Sequence, residues 1–174
     1  HESAKEGNGA MAAVLKLTSE QVENLCAEYS RVYPVNYNCP GQITVAGEGA
    51  ELDKFISRVA ECGGRAIKLA VSGAFHSPFM ERAAARLKNE FCKLALCEPQ
   101  IPVYSNVTAR PYTKEDSELV FSQVTSPVRW EETVRNMIAD GADTFIEAGA
   151  GKVLSGLIKR ISADVRVFNA ENYD

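Results

Sequence analysis

The sequence lacks the features that mark several common classes of protein. It has two histidines and no Cys-x-x-Cys pair, so no metal site is expected. No apolar run approaches the roughly 20 residues that span a bilayer, and the start HESAKEGNG has neither the basic nor the apolar region of a signal peptide. We therefore expect a cytoplasmic protein. Its five cysteines are predicted to be buried, reduced thiols: Cys26, Cys39, Cys62, Cys92 and Cys97.

The sequence also has too few positively charged residues for a protein that binds polyanions. The 19 lysines and arginines are outnumbered by 23 aspartates and glutamates, so we predict binding to neither nucleic acid nor a membrane. With 174 residues and 45% hydrophobic content, the chain is long enough to bury a core of ordinary size.

A serine nucleophile in a recognisable context is missing as well. No G-x-S-x-G motif occurs, and this motif forms the strained turn that presents a catalytic serine at the top of an α/β sheet. Ser72, Ser77 and Ser155 are instead predicted at a strand end, at a helix cap and within a helix. No residue is therefore assigned as a nucleophile.

What is present begins with a regular pattern over residues 9–71. A capping box of Thr18 and Gln21 follows a short apolar run and precedes a helical apolar face. Two extended segments, YPVNYN and QITVAG, then lead to a second helix that ends at Gly63-Gly64 and to a further strand. The order βαββαβ predicts a ferredoxin-like small subdomain, with two helices on one face of an antiparallel sheet.

Residues 72–174 change to the alternating helices and strands of an α/β fold. Ser77 and Pro78 are predicted to begin a helix whose apolar stripe runs from Met80 to Leu94. Strands are predicted at IPVYSN, DTFIEA and DVRVFNA, and further helices at SELVFSQ, after Ser126-Pro127 and at KVLSGLIKRI. Because a typical sheet has about 5–6 strands, three strands indicate part of a larger sheet.

His76 lies between a predicted strand and a predicted helix, where ligands of α/β folds gather. A neutral imidazole at such a turn is able to accept a proton as a general base. The alternative is a half-buried histidine that packs against Phe75 and hydrogen-bonds to backbone. Position alone leaves both open.

The stretch EAGAGKVLSG is a glycine-rich turn before a helix, able to bind an anion through backbone N–H groups. It is not a Walker loop, because Ile146 and Val153 replace its first glycine and its hydroxyl residue. A tight turn without a ligand remains the alternative.

Four segments together resemble one family. GAFHSPFM, VYSNV, QVTSPVRW and EAGAGKVLSGL, in this order and spacing, are similar to the C-terminal part of malonyl-CoA:acyl carrier protein transacylases. The resemblance implies an α/β architecture, with part of an α/β-hydrolase-like large domain joined to the ferredoxin-like subdomain. It also implies Ser/His ping-pong transfer of malonyl from coenzyme A to the carrier protein, without a cofactor other than the thioester substrate.

The resemblance assigns roles to six residues. His76 matches the catalytic histidine, and Gln123 matches a residue whose backbone carbonyl orients it. Phe75 matches a position that selects malonyl over larger acyl groups. Asn36, Asn38 and Arg65 match positions along the route of coenzyme A or phosphopantetheine.

The family's nucleophile motif, oxyanion residues and carboxylate-binding arginine have no counterpart in the sequence. We therefore expect the chain to be inactive alone. It is expected to be either a truncated or proteolysed product or one half of an enzyme whose other half is a separate chain. The alternative is a non-catalytic module that binds a carrier protein or coenzyme A. Basic residues near the last helix, either a carrier-binding face or a solvated helix end, are Lys152, Lys159, Arg160 and Arg166.

Overall fold

The computed structural model describes residues 8–71, 73–94 and 97–170. Its first half is a four-stranded antiparallel sheet with strand order β2-β3-β1-β4. The elements are β1 (Gly9–Leu15), α1 (Ser19–Cys26), β2 (Val32–Cys39), β3 (Gln42–Glu48), α2 (Gly49–Glu61) and β4 (Arg65–Lys68). They follow the predicted order, and the capping box of Thr18 and Gln21 that begins α1 is confirmed.

The main core lies between this sheet and its two helices. Phe55 and Leu52 of α2 and Val22 of α1 are fully buried against alternate residues of β1 and β3. Phe55 also makes an edge contact with Tyr29, with ring centroids 5.9 Å apart. The two helices therefore cover one face of the sheet, as the pattern predicted.

The opposite face of the sheet supports the turn that carries His76. Met11, Val35 and Ala46 pack there against Ala74. A Cβ added at Gly9 would lie 2.8 Å from the Cβ of Ala74, so glycine is needed for the turn to approach β1 this closely.

The second half contains helices and a two-stranded parallel sheet that pack beside β2. Its elements are a 3-10 turn (Pro78–Met80), α3 (Glu81–Phe91), a 3-10 turn (Asp116–Glu118), α4 (Leu119–Ser122), α5 (Trp130–Ala139), β5 (Thr144–Glu147), α6 (Val153–Ile161) and β6 (Arg166–Asn169). Cys39 of β2 packs with Val134 of α5 and Leu157 of α6. The two halves therefore share a core at this strand.

A backbone link at the edge of β2 also joins the halves. Tyr37 N–H donates to Val128 O (2.9 Å), and Val128 N–H donates to Val35 O (2.8 Å). Because Val128 takes part in this pairing, the helix predicted directly after Ser126-Pro127 begins only at Trp130.

Several local predictions are wrong. IPVYSN is not a strand: Tyr104 forms an isolated bridge with Pro111, and Ile101 and Val103 are 73% and 46% exposed, since no described strand pairs with this segment. Leu94 lies beyond the end of α3 and is exposed.

The side-chain and strand-end predictions near His76 also need correction. Ser77 is the N-cap residue and Pro78 the first residue of a 3-10 turn, as predicted, but the Ser77 hydroxyl donates to Ala74 O and makes no capping hydrogen bond. Strand β4 ends at Lys68, short of the predicted segment, and Ser72 lies outside the described residues.

The prediction of five buried thiols is wrong for three of them. Cys26 and Cys39 are buried, but Cys62, Cys92 and Cys97 are exposed. Cys62 and Cys92 each follow the last turn of a helix, where a side chain faces solvent even though a thiol is apolar.

Among the described helices, none is both long and apolar enough to cross a membrane. Over the same residues, no group of three or more histidine, cysteine, aspartate or glutamate side chains is placed to hold a metal ion.

Candidate active site

The imidazole of His76 is held by a backbone carbonyl from a distant part of the chain. His76 Nδ1 lies 2.9 Å from Gln123 O, across 47 positions of sequence. A carbonyl oxygen only accepts, so Nδ1 carries the hydrogen and donates it. The lone pair of Nε2 is therefore left to accept a proton from another group.

The backbone of His76 has the uncommon left-handed conformation, with φ of 59°. The residues around it hold this turn in place: Ala74 is buried in the sheet face, and the buried hydroxyl of Ser77 donates to Ala74 O at 2.5 Å. Met80 N–H then donates to Ser77 O (3.0 Å), which starts the 3-10 turn after Pro78. The ring of His76 is half-buried and is not enclosed by the core.

Gln123 contributes its backbone and not its side chain. It is the C-cap of the short helix α4, where the last carbonyls have no partner within the helix. Its side-chain Nε2 donates back to Val120 O (2.9 Å), so the amide group is already engaged on its own helix. The free carbonyl at the end of α4 is thus the group that meets His76.

A serine partner for His76 is not found in the described part of the chain. No described serine, threonine or cysteine side chain hydrogen-bonds to its imidazole. This agrees with the missing G-x-S-x-G motif, because the free Nε2 has no hydroxyl to act on within these residues.

Asn36 and Asn38 lie together on the face of the sheet that carries the His76 turn. A bulge at Val35 shifts the register, so Asn36 pairs with Thr44, and Asn38 Nδ2 donates to Thr44 Oγ1 (3.1 Å). Val35 itself packs against Ala74 on this face. Two bulges of β2 therefore direct both asparagines toward the side that carries the His76 turn.

Arg65 shares this face but not this edge. Arg65 lies on β4, the strand at the opposite edge from β2, and it pairs with Leu15 of β1. Three strand spacings of about 4.8 Å separate it from Asn36 by roughly 14 Å or more. Arg65 is exposed. Phe75 is 37% exposed and lies outside the described core clusters, so its ring also faces the open side.

The EAGAGKVLSG turn is closed by its own carboxylate. Glu147 accepts hydrogen bonds from Leu154 N–H (3.1 Å) and Ser155 N–H (2.8 Å), the first free N–H groups of α6. Asn169 Nδ2 donates to Gly151 O at 2.5 Å. An anion would have to displace the Glu147 carboxylate from these N–H groups. The contacts therefore favour a tight turn without a ligand.

The basic residues near α6 are not equally available. Arg160 donates to Gln42 Oε1 (2.5 Å) and Pro40 O (3.2 Å), and Arg166 pairs with Asp143 (3.2 Å). Lys152 and Lys159 are exposed and have no ion pair with any described residue. Two of the four predicted cations are therefore free to meet an acidic surface.

Sequence reasoning missed one polar neighbour of the pair. Asn106 Nδ2 donates to the same Gln123 oxygen at 3.4 Å. The segment VYSNV was part of the recognised pattern, but nothing in its local sequence indicated which carbonyl this side chain would reach.

A match to the acyl transferase domain family covers residues 2–166, and the chain belongs to that family. Within it, the chain is 41% identical over 172 residues to the malonyl CoA-acyl carrier protein transacylase of Bacillus subtilis, covering 93% of this chain and 53% of that protein. The predicted resemblance is confirmed.

Solved structures agree. The malonyl CoA-acyl carrier protein transacylase of Clostridium perfringens superposes with a TM-score of 0.94 at 41% identity, over 99% of this chain and 57% of that one. A malonyl-transacylase in complex with its type II PKS acyl-carrier protein superposes with a TM-score of 0.92 at 32% identity, over 99% and 58%. The chain thus spans a little over half the length of these relatives.

Proposed function

We propose that this chain is the histidine-bearing part of a malonyl-CoA:acyl carrier protein transacylase, with His76 as general base and the nucleophilic serine in an N-terminal part outside this sequence. The observation that carries the proposal is the contact between His76 Nδ1 and Gln123 O, which leaves Nε2 as the proton acceptor. Similarity to malonyl CoA-acyl carrier protein transacylases supplies the substrate class. Alone, the chain is expected to be inactive.

The proposed reaction has two half-reactions. In the first, Nε2 takes the serine hydroxyl proton, the serine oxygen attacks the thioester carbonyl, and the coenzyme A thiolate leaves with the proton from the imidazolium. In the second, the phosphopantetheine thiol gives its proton to Nε2 and attacks the malonyl-serine ester. The serine oxygen then recovers the proton, and His76 ends neutral in both halves.

The face of the sheet that carries the His76 turn is the proposed route of the thioester. Asn36 and Asn38 supply polar groups near the His76 turn, and exposed Arg65 supplies a cation farther out, suited to a phosphate. Phe75, directly before the general base, is proposed to restrict the acyl group to malonyl. No cofactor besides the coenzyme A thioester is proposed, and no metal.

The proposed N-terminal part docks on the face of the β5–β6 sheet that carries Ile146, a side chain exposed among the described residues. Phe145 and Val167 pack on the helices behind this sheet, whereas Ile146 and Phe168, paired in register, are 61% and 40% exposed. Parallel sheets normally have both faces covered. This face is therefore suited to a polypeptide that continues the sheet at its edge and covers the face with a second layer. The unpaired segment at Ile101 and Val103 exposes apolar side chains for the same reason.

We also propose the finer architecture. Residues 9–71 are assigned to a ferredoxin-like subdomain, supported by the strand order β2-β3-β1-β4, and residues 72–174 to part of an α/β-hydrolase-like large domain. The proposed partners are malonyl-CoA, an acyl carrier protein and the N-terminal part, and the proposed location is the cytoplasm. The neighbour that was solved with its acyl-carrier protein supports the second partner.

The test restores the missing length. The residues of the Bacillus subtilis transacylase that lie outside its match to this chain are fused to it, and malonyl transfer to a carrier protein is measured. Transfer is expected from the fusion, and not from the 174-residue chain. His76→Ala should lower kcat by about 10²–10⁴-fold, while Lys16→Ala, an exposed residue outside the turn, should leave it unchanged.

The alternative function is a non-catalytic module that binds a carrier protein or coenzyme A. The exposed lysines beside α6 are the observation that favours it, because an acidic carrier would need such a surface. Carrier binding by a fusion that transfers malonate no better with His76 than without it would support this alternative and refute the general base.

A further inference from the structure

The oxygen of Gln123 accepts two hydrogen bonds. His76 Nδ1 donates to it at 2.9 Å, and Asn106 Nδ2 donates to it at 3.4 Å. A carbonyl oxygen has two lone pairs, so the two donors use different acceptor directions. The position of this oxygen is therefore fixed from two sides.

Asn106 is itself rigidly placed. It follows Ser105, which is fully buried and forms the start of a tight turn through Ser105 N–H to Arg110 O (2.8 Å) and Ala109 N–H to Ser105 O (2.9 Å). The side chain of Asn136 on α5 donates to Ala109 O (2.8 Å), which ties the turn to a helix.

The turn of Asn106 and the turn of His76 are held by the same strand. Asn106 O accepts from Arg129 N–H (3.1 Å), and the preceding residue Val128 pairs with Val35 of β2. The side chain of Val35 packs against Ala74, at the base of the His76 turn. The two turns that supply the donors to Gln123 O are therefore both held through Val35 of β2.

Gln123 has little other support for its carbonyl. It ends α4, a helix of four residues, whose final carbonyls have no intrahelical partner. The N–H of the same peptide, on Val124, donates to Phe121 O only at 3.3 Å. We therefore expect loss of Asn106 to let the carbonyl tilt toward water and to weaken its hydrogen bond with Nδ1.

We propose that Asn106 is a positioning residue: by holding the Gln123 carbonyl, its side-chain amide keeps His76 in the tautomer with hydrogen on Nδ1 and the lone pair on Nε2. The catalytic meaning of this rests on the proposed function, whereas the tautomer is a property of the chain itself. Asn106 touches neither substrate nor the reacting atoms, and acts through Gln123.

The experiment is long-range ¹H–¹⁵N NMR of the 174-residue chain at alkaline pH, where both imidazoles are neutral. The chain has two histidines, so His76→Ala assigns the signals, and the signals of His1 serve as an internal reference within the same sample. In the wild-type chain, His76 should show hydrogen on Nδ1.

Two variants test the role of the amide. Asn106→Asp keeps the shape but replaces the donor with an acceptor, and Asn106→Ala removes the side chain. Both should move His76 toward the tautomer mixture of His1, while Asn89→Ala, on the exposed side of α3, should not. A structural role alone would lower the melting temperature and leave the tautomer unchanged.

Retention of the Nδ1–H form in both folded variants would overturn the proposal. In the active fusion, both variants should lower kcat by up to about 100-fold with KM little changed. Because NMR needs no acyl transfer, an inactive fusion with a normal tautomer shift would refute the proposed function alone.

Discussion

Glu147 and Ser155 form a cap across the turn between β5 and α6. The carboxylate Oε2 of Glu147 accepts from the Ser155 N–H at 2.8 Å, and Oε1 accepts from Leu154 N–H. Hydrogen bonding to Ser155 is the main cause of the lowered pKa of the Glu147 carboxyl. Glu147, the last residue of β5, thus supplies a negative charge that interacts favourably with the N-terminus of α6.

We expect Glu147→Gln to lower the stability of the chain at neutral pH. Because the folded pKa of Glu147 lies below its ordinary value of 4.5, its stabilisation is fully present above pH 4.5 and is lost as the pH falls through the folded pKa. Thermal unfolding across this range should therefore show a smaller acid-induced loss in the variant. Glu98→Gln, at an exposed carboxylate, is the control, and an equal loss in both variants would contradict the cap.

The five thiols should react in two groups. Burial is the main cause that raises the pKa of the Cys26 thiol to about 12, and burial also raises the pKa of Cys39. Cys62, Cys92 and Cys97 are exposed. Titration with a chromogenic disulfide reagent should thus modify three thiols in the folded chain and five after unfolding in denaturant. Rapid modification of all five in the native state would contradict the packing of β2 against α5.

Two glycine substitutions should have opposite effects. Gly9→Ala places a Cβ 2.8 Å from the Cβ of Ala74, so we expect a loss of about 1–3 kcal/mol in the free energy of unfolding. Gly156→Ala, within α6 and with open space around it, should gain about 0.5–1 kcal/mol. Urea unfolding measures both. Equal effects at the two sites would show that the His76 turn does not rest on β1.

Phe75 should control the acyl group in the active fusion. Phe75→Ser frees space beside the general base, so transfer of methylmalonyl relative to malonyl should rise about 10–200-fold in kcat/KM. Phe79→Ser, four residues later in the same turn but packed toward Tyr33, is the matched control. An unchanged ratio would remove the specificity role from Phe75 and leave the role of His76 intact.

The local elements of this fold were largely predictable, because their signals are local. The capping box at Thr18 and the apolar faces of α1 and α2 depend on residues three or four positions apart. IPVYSN failed for the opposite reason: a strand needs a partner, and alternation of Ile101 and Val103 says nothing about whether one is present.

The candidate site was predictable only through resemblance. Nothing in the residues near His76 indicates Gln123, since the two are 47 positions apart and the contact uses a backbone atom common to every residue. Asn106 and Glu147 were missed because each acts on backbone groups of another segment. The burial of the thiols was mispredicted since apolar character does not reveal which side of a helix end faces solvent.

The left-handed backbone conformation of His76 lowers the free energy of unfolding of the chain. A side chain in that conformation costs about 1–2 kcal/mol relative to glycine. His76→Gly should therefore have a higher free energy of unfolding than His76→Ala, although both variants lack the imidazole. Directed evolution for heat tolerance alone would favour glycine at this position, and would remove the proposed proton acceptor in doing so.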